Sequence, residues 1–249
     1  MPMQLKSIPA TIQIKGKMPM LFFWLFVYSA IATSFVLFLA EHFFEWQKHL
    51  WRKSKCDHCG SMLHWTQLIP IFSFLRQRGK AICCHNRLRL HYVVLEVVSP
   101  LFICLLYVKY NFSTSFFYYL LLFIFLLFFT VTDYLYMYIP LRYLYFLLVI
   151  LFIWNLTNWP FYQSLLLCSI FYACLYLLFH QGIGSGDIQL LIIYSAALGW
   201  RQGYILFTGA VLIGLISLLL LVKFKKISNS AKAPFVPFIF ISYVGIILF

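Results

Sequence analysis

Acidic side chains are what this 249-residue chain most lacks: it has 6 Asp and Glu against 19 Lys and Arg, and charged residues make up 10% of it. A soluble domain of ordinary composition carries about 25% charged residues, so this chain has too little polar surface to keep itself in water. The sequence also lacks a glycine-rich phosphate loop, a second Cys-x-x-Cys to match Cys56 and Cys59, internal repeats and low-complexity linkers. The first absence removes the usual nucleotide-binding motifs. The second leaves any metal site without its most regular form.

What is present is apolar. Hydrophobic residues make up 63% and aromatic residues 21%, and the mean hydropathy is +0.90. This composition predicts an all-α fold, a polytopic integral membrane protein in contact with membrane lipids. Apolar runs at about 19–44, 92–108, 115–132, 143–158, 160–180, 188–200, 203–222 and 234–249 give about eight transmembrane helices across a core of roughly 30 Å. The fourth, sixth and eighth runs are short, which keeps seven spans or a re-entrant segment as alternatives. The chain divides into an N-terminal segment with the first span (1–44), a polar cysteine-bearing loop (45–91) and a transmembrane core (92–249).

The net charge of +13 is read by position rather than as an affinity for nucleic acid, which is not an expected partner. Placing the 45–91 loop inside puts 14 Lys and Arg on the cytoplasmic side and 5 on the other, with both termini outside. Lys6, Lys15 and Lys17 imitate the charged start of a signal peptide. The apolar run behind them is longer than an h-region of about 7–15 residues and leads into Glu41 and a basic loop, so no cleavage is expected. Met18 and Met20 are alternative starts.

Against that scarcity of acids, Asp133 and Asp187 end or begin apolar stretches. A carboxylate at the bilayer centre costs about 2.5–3.5 kcal/mol on insertion scales, so acids kept in or beside a span are functional candidates. The runs 143–158 and 160–180 separate the two, and two crossings return the chain to the side it left. Both carboxylates are therefore expected near the cytoplasmic boundary. Asp187 closes Gly182-Ile-Gly-Ser-Gly-Asp187, where Gly182, Gly184 and Gly186 permit positive φ and close approach, letting an extended segment reach the carboxylate. Neighbouring carboxylates cannot both ionise cheaply, so such a pair offers one base to activate water and one acid to protonate a leaving group. The plainer readings make Asp187 a helix N-cap and Asp133 a membrane-interface residue; neither accounts for two acids on one side.

The 45–91 loop contains Cys56-Asp-His-Cys59 and Cys83-Cys84-His85. The first pair has zinc-knuckle spacing, and a cytoplasmic loop favours metal or free thiol over disulfide. Adjacent cysteines rarely chelate one ion comfortably, so His58, His64 and His85 are alternative nitrogen ligands. Cys104, Cys168 and Cys174 fall inside apolar runs and read as packing residues.

Taken together, Cys56-Asp-His-Cys59, His64-Trp-Thr-Gln-Leu-Ile-Pro-Ile71, Arg78-Gly-Lys80, Leu95-Glu96 and Gly184-Ser-Gly-Asp187 resemble the type IV prepilin leader peptidases, in matching order from about residue 34 to about 200. The resemblance implies an aspartyl endopeptidase of the cytoplasmic membrane that cuts the basic leader from prepilins or pseudopilins. Asp133 and Asp187 correspond to its catalytic aspartates, so 92–249 becomes the protease core. It also implies structural zinc held by Cys56, Cys59 and Cys84, with Cys83 or His85 as the fourth ligand, and methylation of the new N-terminus with S-adenosylmethionine as methyl donor. The chain departs from the family pattern at Ala81, where the third cysteine usually stands, at Gln189, where Lys is usual, and at Leu141, where Asp is usual. The abundance of Phe, Tyr, Ile and Lys suits an AT-rich genome and the competence branch of the family. Two other readings compete: a presenilin-like intramembrane protease, which shares the GxGD turn but lacks the cysteine loop, and a proton- or cation-coupled transporter.

Overall fold

The computed structural model describes residues 18–44, 55–56, 59–62, 64, 77, 79–86, 90–179, 184–223 and 233–249. These contain eight α-helices: α1 (Met18–Glu41), α2 (Leu90–Tyr110), α3 (Thr114–Tyr136), α4 (Leu141–Trp154), α5 (Trp159–Phe179), α6 (Ser185–Leu198), α7 (Trp200–Lys223) and α8 (Val236–Leu248). Each coincides with one apolar run of the sequence. Runs so rich in Phe, Tyr and Ile are modest helix formers in water. In hydrocarbon, a spanning segment must pair its backbone groups internally, and the helix does this without a partner strand.

Five helices, α1, α2, α3, α5 and α7, are long and apolar enough to cross a membrane. The protein is a multi-pass membrane protein. The remaining three, α4, α6 and α8, have 14, 14 and 13 residues and extend only about 20 Å at 1.5 Å per residue. Large apolar side chains cover the outside of the bundle, with Leu177 and Leu178 at 76% and 74% exposure. Such surface is a liability in water and is natural against lipid.

Helix α3 is the axis of the bundle and the most buried of the long helices. It packs against α1, α2 and α8, while α6 lies against α5 and α7 and touches α4. Several buried polar groups between these helices find partners, which a low-dielectric interior favours. The Tyr194 hydroxyl donates to Leu122 O at 2.9 Å and that of Tyr243 to Tyr119 O at 2.8 Å. Tyr172 and Ser195 share a hydrogen bond of 2.9 Å. Next to it, Gly203 of α7 comes so close to α6 that an added Cβ would lie 2.3 Å from Ser195 Cβ.

Hydrogen bonds between helix ends sort those ends into two faces. On one face, Tyr136 at the end of α3 donates to Glu41 O at the end of α1, and the start of α8 meets the last turns of α3. On the other, Lys109 at the end of α2 donates to Ile247 O at 2.9 Å and Leu248 O at 3.2 Å, in the last turn of α8. There too, Tyr118 near the start of α3 donates to Ala197 O near the end of α6. The ends of α1 and α3 and the start of α8 thus share one face, and the ends of α2, α6 and α8 and the start of α3 share the other.

Candidate active site and cysteine cluster

Asp133 lies one turn from the end of α3 and is 6% exposed. Its neighbours Thr130 and Thr132 turn their hydroxyls back onto their own helix, to Leu126 O at 2.7 Å and Phe129 O at 3.1 Å. They satisfy themselves locally and leave the carboxylate as the group with outward reach. Asp133 Oδ2 accepts a hydrogen bond of 3.0 Å from the backbone N–H of Val236, the first residue of α8. The first N–H groups of a helix have no partner within it and carry its positive end. A carboxylate placed there is both hydrogen-bonded and electrostatically favoured. Pro237 in the first turn of α8 contributes no N–H and suits that position.

Asp187 is the third residue of α6, within its first turn. The N-cap is Gly184, which has no side chain to cap with, so the reading of Asp187 as N-cap does not hold. The expected role of the glycines also changes. Gly184 has ordinary extended backbone, φ −66° and ψ 137°, and is needed for space: an added Cβ would lie 2.9 Å from Asp187 Oδ2. Extended backbone ends there, because Gly186 is already helical. A Cβ on Gly186 would lie 3.4 Å from Ile139 Cβ, so this turn packs against the link between α3 and α4. Gly182 lies outside the described residues.

The fold therefore brings the two acids to one face from elements far apart in sequence, and their carboxylates lie within electrostatic reach of each other. Beside them, Tyr145 of α4 donates to Gln189 Oε1 of α6 at 2.8 Å. Glu96, the acid within α2, is half-buried. The backbone donor at Val236 escaped sequence reasoning, since a valine says nothing about its amide. Only Pro234 and Pro237, which bracket a helix start, hinted at it.

In the cysteine loop, one sulfur each from Cys56, Cys59, Cys83 and Cys84 lies within 4.8 Å of all the others. The Cys56–Cys84 pair is 3.9 Å apart and the Cys59–Cys83 pair 3.3 Å. Four thiolates at about 2.3 Å from a zinc ion would be about 3.8 Å from one another, so the cluster fits a tetrahedral metal site. Of the two residues the sequence offered as fourth ligand, Cys83 turns into the cluster beside the adjacent Cys84. His64 and His85 do not join the group, and His58 lies outside the described residues. The Ser61 hydroxyl, its backbone N–H and Cys83 together draw the Cys59 thiol down to about 6. Ser61 pulls on Cys83 as well, but Cys59 and Cys56 push that thiol up to about 11. A set holding one ready thiolate is the chemistry a metal ion needs. Cys104, Cys168 and Cys174 lie in α2 and α5, away from the cluster.

A multi-pass helical membrane protein with a carboxylate pair at one face and a tetracysteine loop beside its first helices defines the class. Residues 27–110 match the Bacterial Peptidase A24 N-terminal domain, and residues 120–219 match the Type IV leader peptidase family. The chain is 31% identical over 192 residues to a Bacillus subtilis (strain 168) protein named prepilin leader peptidase/N-methyltransferase, covering 74% of this chain and 77% of that one. A Pectobacterium carotovorum subsp. carotovorum protein of the same name is 28% identical over 206 residues, covering 78% and 73%. No solved structure matches. The chain belongs to the type IV prepilin leader peptidase family.

Proposed function

We propose that this protein removes the leader from prepilins or pseudopilins at the cytoplasmic face of the cell membrane, with Asp133 and Asp187 as the catalytic pair. The observation that carries the reading is geometric: Asp133 Oδ2 sits on the first N–H of α8, and Asp187 is in the first turn of α6, whose Gly186 packs against Ile139 just beyond α3. In the reaction one carboxylate takes a proton from water as its oxygen attacks the scissile carbonyl carbon. The other, protonated, gives its proton to the amine nitrogen as the carbon–nitrogen bond breaks. The leader's basic residues stay in water while the apolar helix behind the cut stays in the bilayer, so the membrane itself sets the height of the bond. The orientation rests on the 14-to-5 asymmetry of basic residues. Co-expression with a candidate prepilin, followed by mass spectrometry of the new N-terminus, tests the reading. A single cut between leader and apolar helix is expected; an intact precursor in the presence of inserted enzyme would contradict it.

The tetracysteine cluster supports a zinc site through Cys56, Cys59, Cys83 and Cys84. There the ion would hold together a polar loop, 45–91, too small to build a core of its own. Amine methylation by S-adenosylmethionine is supported by the names of the two relatives alone. The cavity of about 300 Å³ between α1, α3 and α4, lined by Val36, Phe43, Phe128 and Tyr143, is apolar and suits no ribose or amino-acid group.

A further inference from the structure

We propose that Cys83 is a relocated metal ligand, supplying the sulfur that the second of two matching turns lacks at Ala81. The inference rests on the metal reading above and concerns which residue completes the site. The two turns superpose hydrogen bond for hydrogen bond. In the first, Gly60 N–H donates to Cys56 O at 2.8 Å and Cys56 N–H donates to Ser61 O at 2.8 Å. In the second, His85 N–H donates to Ala81 O at 2.8 Å and Ala81 N–H donates to Asn86 O at 2.8 Å. The residue closing each turn is left-handed, Gly60 at φ 70° and His85 at φ 56°. A histidine tolerates that conformation at a cost that glycine avoids.

This correspondence pairs Cys59 with Cys84 and Cys56 with Ala81. Cys56 and Ala81 are equally sheltered, at 9% and 5% exposure, but a methyl group ligates nothing. The missing corner is filled from within the same turn, where Cys83 Sγ comes to 3.3 Å from Cys59 Sγ. The site thus keeps four sulfurs with one of them moved along the chain. Each thiol that binds loses its proton to solvent, and no oxidant or reductant is involved.

Cobalt(II) loading of the full-length protein in detergent tests this directly, since the sulfur-to-cobalt charge-transfer band grows with the number of thiolates bound. One equivalent of cobalt with a four-thiolate band is expected for the native protein. Cys83→Ser should lose the metal or drop the band by about a quarter, one thiolate of four. Adding Ala81→Cys to Cys83→Ser should return both stoichiometry and band, because it puts the thiol back where the symmetry places it. His85→Gly, which matches Gly60 of the first turn and keeps the left-handed backbone free of strain, should leave the band unchanged. A full band in Cys83→Ser, or failure of the double variant to regain it, would overturn the relocation while leaving the metal site standing. Native protein that takes up neither cobalt nor zinc would overturn both.

Discussion

The backbone N–H of Val236 donates to Asp133 Oδ2 at 3.0 Å across 103 residues of sequence. This bond ties α8 to Asp133, and its donor lies beyond the stretch 120–219 that matches the family while its acceptor lies within it. Helix α8 therefore positions the carboxylate as well as packing the core through Ile239 and Tyr243.

Replacing the Val236 amide by an ester removes this one N–H and keeps the side chain. A hydrogen bond to a charged group contributes about 1.5–3 kcal/mol, so cleavage should slow roughly tenfold or more. Steady-state cleavage of prepilin by the ester variant, at matched protein levels, checks this; an unchanged rate would detach α8 from the site.

Gly184→Ala places a methyl group 2.9 Å from Asp187 Oδ2. The carboxylate end must shift by a few tenths of an ångström, and since a misplacement of about 1 Å can cost about 100-fold, a loss of activity of roughly several-fold to tenfold is expected. Insertion and thermal stability should stay near native. Gly186→Ala, facing Ile139 at 3.4 Å, should have a smaller effect on activity.

Gly203→Ala should act on the fold. Its Cβ would lie 2.3 Å from Ser195 Cβ and 2.7 Å from Ser195 Cα, forcing α6 and α7 apart. Overpacking of this kind costs about 1–3 kcal/mol or more. A melting temperature in detergent well below native is expected, whereas Gly245→Ala, with nothing within 4 Å of its Cβ, should melt as native or slightly above.

Reporter fusions at about residue 70 and about residue 228 should score cytoplasmic, and one near Asn111 external, following the 14-to-5 distribution of basic residues. An external result at residue 70 would reverse the bundle and remove the carboxylates from the side that prepilin leaders occupy.

Much of this was legible from the sequence because hydrocarbon imposes a single rule on the backbone, and the eight apolar runs coincide with the eight helices of the described residues. Helix ends were less legible. The run beginning at Ile188 concealed that α6 starts at Ser185, which placed Asp187 outside a helix it in fact belongs to. The cysteine cluster was half visible: Cys56 and Cys59 announce a knuckle, but Ala81 hides the second turn, whose likeness to the first lies in backbone hydrogen bonds. The part played by Val236 is likewise a main-chain property, which residue types do not encode.

The most direct test of the account is cleavage by Asp133→Asn and Asp187→Asn, each of which removes a carboxylate and hardly alters volume. Losing a general acid or base commonly costs about 10²–10⁴ in rate, and losing half of a coupled pair should cost at least that. Both variants should insert normally and leave prepilin uncut, with Glu41→Gln as a comparison that keeps most activity. Near-native cleavage by either aspartate variant, in protein present at normal levels, would contradict the assignment of that residue to the catalytic pair.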